Sequence, residues 1–135
     1  MLKNITIKNV IEARNVLDKW LNKELPFTVS RKIQLFFKDS DMIARKYKEC
    51  EYDLLKQYAE LDDDGNIKQY TDQSGTAIIF KIPDENQGPM NEQLSALLNA
   101  DIRYNLDEDI YFEEEDLKEL QCSPKELECI DWMVI

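Results

Sequence analysis

Ile5 and Ile7 fall on one side of an extended chain and Thr6 and Lys8 on the other, which predicts a short strand with one buried face. The period then changes. Val10, Ala13, Leu17, Trp20 and Leu21 recur three or four apart, so a helix is expected from about Asn9 to Lys23, with Pro26 breaking the chain beyond it. The strongest stripe comes next: Ile33, Phe36, Phe37, Ile43, Ala44, Tyr47, Cys50, Leu54, Tyr58 and Leu61 predict a helix that opens at Thr28 or Ser30 and runs for about eight turns. The connection Leu25-Pro26-Phe27-Thr28 is short, so these two helices are expected to pack as an antiparallel hairpin that buries Trp20, Phe36, Phe37 and Tyr47. Cys50 rides on the stripe and reads as a small buried hydrophobe. Leu35, Met42 and Leu55 lie off it, facing either a second helix or an interface.

After Leu61 the pattern breaks up. Asp62-Asp63-Asp64-Gly65-Asn66 is turn chemistry, and the runs 67–71 and 76–82 around Asp72-Gln73-Ser74-Gly75 read as a β-hairpin. Residues 83–89, bounded by prolines, read as a loop, and Met90, Leu94, Leu97 and Leu98 mark a modest helix to Ala100. Ile110-Tyr111-Phe112 is a candidate strand, followed by a short helix from Glu113 to Leu120 with acids in its first turn, where the helix dipole favours them. Ser123-Pro124-Lys125-Glu126 places Ser at the N-cap, Pro at the first helical position and Glu at the third, a capping box. The last helix is therefore expected to run from Ser123 to the end, burying Leu127, Ile130, Trp132 and Met133. No repeat or linker interrupts the chain. The expected architecture is one α+β domain over residues 1–135: an N-terminal strand, a helical hairpin over 9–61, and a mixed β/α part over 62–135 with a β-hairpin, a small mainly antiparallel sheet and short C-terminal helices.

Charge adds an asymmetry. Residues 1–48 carry eleven Lys/Arg against five Asp/Glu, a net of +6, while residues 49–135 carry six against twenty-three, a net of −17. No apolar run approaches the ~20 residues of a membrane span, and the alternating start lacks the apolar core of a signal peptide. Cys50, Cys122 and Cys129 are odd in number and show no CxxC spacing, so reduced thiols and a cytoplasmic location are expected.

The sequence is poor in catalytic chemistry. It has no histidine, which removes the usual general base and the commonest metal ligand, and Cys122 and Cys129 have no imidazole to activate them. Its three glycines form no phosphate loop or nucleophile elbow. With Gly65 at position six of a calcium loop, Glu60, Asp62 and Asp64 would take positions one, three and five. Position twelve is then Thr71 where a bidentate Glu is needed, so an acidic turn is the better reading. Neither enzyme activity, nor a cofactor, nor a metal is expected.

Binding chemistry is richer. Arg31, Lys38 and Arg45 stand seven apart on one stripe of the long helix, flanked by Lys32, Lys46 and Lys48, with Tyr47 among them. Such a stripe could track a phosphate backbone, but a net charge of −11 opposes nucleic acid, and the stripe could instead meet the chain's own acids. Asp107, Glu108, Asp109, Glu113, Glu114, Glu115 and Asp116 form the densest acidic surface, suited to a protein partner with a basic surface or to imitation of a nucleic acid.

The order of several segments adds to this. Ile5-Thr6-Ile7-Lys8-Asn9 leads into a helix, Ser30-Arg31 opens a long one that ends Lys56-Gln57-Tyr58-Ala59-Glu60-Leu61 before the acidic turn, and Ile110-Tyr111-Phe112-Glu113 precedes a final helix ending Asp131-Trp132-Met133. This order resembles a family of small uncharacterised proteins encoded by tailed phages of Gram-positive bacteria. The likeness covers most of the chain, least over 67–105, and carries across no catalytic or binding residue. It implies a phage or prophage origin. Joined to the reading of the residues, the expected role is a non-enzymatic, phage-encoded interaction protein in the host cytoplasm that binds a host or phage protein, for instance to inhibit a host function or a bacterial defence. The alternatives are a virion or tail-assembly component and an immunity-type antidote to a toxin.

Overall fold

The computed structural model describes residues 2–135. They form two compact units, one comprising the residues up to Arg45 together with Asn99–Ile135, the other Lys46–Leu98. The division thus falls inside the long helix, not between residues 61 and 62. The class is α+β, with five α-helices and two small antiparallel sheets among the described residues.

In the first unit, β1 (Leu2–Thr6) pairs antiparallel with β4 (Asp101–Asn105), Ile5 opposite Ile102 and Lys3 opposite Tyr104. Thr6 ends the strand and begins α1 (Ile7–Leu17): its Oγ1 accepts from the Asn9 N–H at 3.3 Å, while Asn9 Oδ1 accepts from the Thr6 N–H at 2.9 Å. This reciprocal cap starts the helix two residues before the expected Asn9. α1 buries Val10, Ala13 and Leu17 and passes into a 3₁₀ turn at Asp18–Trp20, which buries Trp20.

α1 runs closest to α5 (Pro124–Ile130), not to α2 (Phe27–Tyr58), its neighbour in sequence. Side chains make the link to α2. Arg14 Nη1 donates to the Phe37 carbonyl at 2.9 Å and to Ser40 Oγ at 2.7 Å, and the Ser40 hydroxyl donates to the Phe36 carbonyl at 2.7 Å. Ser40 can therefore be fully buried without an orphaned polar group. The buried stripe of α2 is Val29, Ile33, Phe36, Ser40 and Ala44. Phe36 is 0% exposed and sits about 6 Å from the rings of Phe37, Tyr104 and Trp132. Phe37 and Tyr47 are only half-buried, and Cys50 is exposed, contrary to expectation, because the buried stripe ends at Ala44.

Ile110 and Phe112 are core residues but form no regular strand. The Asp107 carbonyl accepts from the Ile110 and Tyr111 N–H groups, which curls the segment into a turn, and only Phe112 pairs, in a single parallel bridge with Val134. α4 (Glu114–Glu119) follows. α5 opens with the expected capping box at Ser123 but stops at Ile130, where a 3₁₀ turn, Asp131–Met133, takes over. That turn puts Ile130 and Met133 inside and leaves Leu127 37% exposed.

The second unit joins the end of α2 to two similar turns. Asp62 Oδ1 accepts from the Asn66 N–H and Asp72 Oδ1 from the Thr76 N–H, each with a glycine at positive φ three residues after the aspartate, Gly65 at 82° and Gly75 at 73°. Glycine suits both because a side chain resists that conformation. The second turn joins β2 (Tyr70–Thr71) to β3 (Ile78–Ile79), the hairpin expected. α3 (Asp84–Leu98) starts well before Met90, so most of the stretch expected as a loop is helical and contains Pro89. Its first turn is held by the Asn86 N–H on the Pro83 carbonyl and by Asn86 Nδ2 on the Tyr58 carbonyl. No described helix is long and apolar enough to cross a membrane.

Candidate functional site

The acidic surface is built on a buried frame. Ile110, Phe112 and Leu120 lie in the core, and Phe112 is tied to the C-terminal segment by its N–H on the Met133 carbonyl (2.7 Å) and its carbonyl under the Ile135 N–H (2.9 Å). The residues between these anchors are turned outward. Asp107, Glu108, Asp109, Glu113, Glu114 and Glu115 are all exposed, and none forms a salt bridge among the described residues.

Asp116 differs. It is buried, with Oδ2 2.6 Å from Lys32 Nζ and 2.8 Å from the Glu113 N–H, so its carboxylate fastens α4 to α2 and starts the helix. It cannot be part of an exposed partner-binding face. Lys32 is likewise withdrawn from the basic stripe.

The rest of that stripe is divided. Arg45 Nε lies 2.8 Å from Asp41 Oδ2, one turn earlier on the same helix. Lys46 and Lys48 belong to the second unit. Arg31 and Lys38 are exposed on α2 along the Asp107–Asp109 turn, so the structure brings these two cations beside the chain's own acids.

Between α2 and that turn runs a groove of about 590 Å³ lined by Leu35, Lys38, Asp39, Asp41, Met42, Asp107, Asp109 and Ile110. Met42 is 67% exposed, so the apolar floor lies at the surface. A smaller hollow of about 120 Å³ shares Asp109 and is lined by Phe27, Thr28, Arg31, Lys32 and Glu108. Near the groove the Tyr104 phenol is raised far above its ordinary pKa, first by burial and then by the Asp39 carboxylate. Sequence reasoning missed Asp39 and Asp41 and left Leu35 and Met42 undecided. The signal was the spacing Arg31, Leu35, Lys38, Met42, Arg45, which alternates four and three and so defines a second face of α2.

Elsewhere the chemistry is quiet. In the calcium-like turn, Asp62 Oδ1 accepts from the N–H groups of both Asp64 and Asn66, so this carboxylate organises its own loop. No group of three or more Cys, Asp or Glu among the described residues is placed to hold a metal ion. All three cysteines are free. Burial pushes the Cys122 and Cys129 thiols up, away from the reactive thiolate, and nearby Glu126 and Glu12 add to the effect.

The comparisons add no relative. No family model matches the chain, and no curated protein or solved structure matches it either.

Proposed function

We propose that this protein is a non-enzymatic interaction protein that recognises a basic surface on a protein partner through the acidic face at residues 107–115. One observation carries the reading: six exposed carboxylates, held on a backbone anchored by Ile110, Phe112 and Leu120, form no salt bridge among the described residues, although Arg31 and Lys38 stand near three of them. Charges so placed keep their field for an incoming partner and speed its encounter. Thiols pushed toward the neutral form and the absence of histidine agree with a role outside catalysis. The segment order resembling the tailed-phage family supports a phage-encoded origin and action in the host cytoplasm, most simply as an inhibitor of a host or defence protein.

The test is kinetic. With a partner captured from lysate of a Gram-positive host, association should slow steeply with salt as the Debye length falls from ~10 Å at 0.1 M to ~3 Å at 1 M. The charge reversal Glu113→Lys, Glu114→Lys, Glu115→Lys should cut the association rate by about tenfold or more and leave the melting temperature nearly unchanged. An association rate indifferent both to salt and to that reversal would reduce the acidic face to a solubility coat.

A further inference from the structure

We infer that the groove beside α2 seats one amphipathic, cationic helix of a protein partner. The inference rests on the acidic-face reading and deepens it by naming the shape and chemistry of what docks.

Charge comes first. Asp39, Asp41, Asp107 and Asp109 line the groove against one cation, Lys38; the smaller hollow adds Glu108 against Arg31 and against Lys32, whose amine is already paired with Asp116. Neither Asp107 nor Asp109 has a salt-bridge partner among the described residues, and Asp41 is paired only with exposed Arg45, an exchangeable surface pair. Such a rim favours Lys and Arg side chains and repels nucleic acid.

The floor sets a second requirement. Leu35, Met42 and Ile110 are apolar, and Met42 is largely exposed. A methionine is unbranched and repacks readily around an inserted side chain. The occupant therefore carries an apolar anchor between its cations, which purely basic segments lack.

Shape decides between a helix and an extended peptide. The wall formed by Leu35, Lys38, Asp39 and Met42 lies along one face of α2, whose backbone N–H and C=O groups are bonded within the helix. A strand seeking backbone partners finds none there, whereas a helix satisfies its own and presents only side chains. The groove also has length. The smaller hollow adjoins it at Asp109 and lies beside Arg31 and Phe27, which is 78% exposed. Phe27 and Met42, the apolar side chains at the two ends, are separated by roughly 22 Å of helix, which an occupant of about four turns would span.

The test uses the full chain, ¹⁵N-labelled, and three synthetic peptides of about 18 residues. One has Lys and Leu at helical spacing, one has the same composition scrambled to destroy amphipathicity, and one has Glu in place of Lys. The amphipathic basic peptide should bind with a Kd below ~100 µM and shift resonances of Leu35, Lys38, Met42 and Asp107–Ile110. The scrambled and acidic peptides should bind at least about tenfold more weakly. Met42→Ser, at an exposed position, and Asp107→Asn with Asp109→Asn should each weaken the amphipathic peptide several-fold with unchanged melting temperature. Equal binding of the scrambled peptide, or shifts confined to Glu113–Glu115, would overturn the groove while leaving the acidic-face reading intact. No binding of the amphipathic peptide at ~1 mM would overturn the groove outright, and the salt and charge-reversal experiment would then judge the acidic face independently.

Discussion

Replacing Phe36 with Ala tests whether the first unit is organised around this ring. The side chain is 0% exposed and is met by Phe37, Tyr104 and Trp132 at 6.0, 6.2 and 6.0 Å between centroids. Removing the ring forfeits about 2 kcal/mol of transfer free energy. A ring-sized void of roughly 80 Å³, if the walls do not collapse, adds about 2 kcal/mol at the cavity rate. The expected loss is therefore about 4 kcal/mol, a large share of a typical domain's ~5–15 kcal/mol. Both tryptophans, Trp20 and Trp132, lie in the first unit, so their fluorescence during urea unfolding reports that unit. Phe37→Ala is the internal control. Its neighbour in sequence is only half-buried, with the Arg14 guanidinium 4.7 Å above the ring, and should cost about half as much. Equal losses for the two, or a loss below ~1 kcal/mol for Phe36→Ala with an unchanged m-value, would refute the assignment of the core.

Breaking the Lys32–Asp116 pair by Lys32→Met should destabilise by about 3 kcal/mol, because it strands a buried carboxylate; the double variant with Asp116→Leu should recover most of that in the same urea assay. Amide hydrogen exchange should be faster in residues 46–98 than in the first unit, since that unit's buried apolar residues are only Ala59, Ile67 and Met90. The Tyr47 phenol is pushed up to about 12, first by burial and then by Glu51, whose carboxylate accepts its hydrogen at 2.9 Å. A raised folded-state pKa gives stability that is complete below the ordinary value near 10.0 and lost as pH rises toward about 12. Ultraviolet titration should show one late phenol disappear in Tyr47→Phe.

Local signals in the sequence translated well into local structure. The capping box at Ser123, the hairpin turn at Asp72–Gly75 and the start of the long helix depend on neighbours within four residues, and each lies close to where the pattern put it. The errors belong to interactions between distant residues. Phe112 looked like part of a strand because β-forming residues surround it, but its one bridge is to Val134 and the Asp107 carbonyl curls the chain before it. β4 was overlooked although Ile102 and Tyr104 alternate with polar neighbours, since a two-residue period over five positions is weak until β1 is known to pair with it. Cys50 extended the apolar period without a partner to bury it. Asp116 looked like one more acid in a run of four, and only the fold brings Lys32 against it.

That last contrast bears on what the acidic face is for. Four consecutive acids stand at the start of α4, yet one, at the third helical position, is buried against a lysine from α2 and the other three are exposed. The buried member holds the Glu113 N–H and ties the start of α4 to α2, and so places the backbone that carries the other three. A solubility coat needs net charge but no fixed arrangement of it. Fixing like charges close together costs stability through self-repulsion, and it is useful only where their relative positions matter. Lys32→Met separates the two uses. It should blunt partner association although Lys32 is paired with Asp116 and with none of the exposed acids, because the start of the helix that carries those acids would lose its anchor.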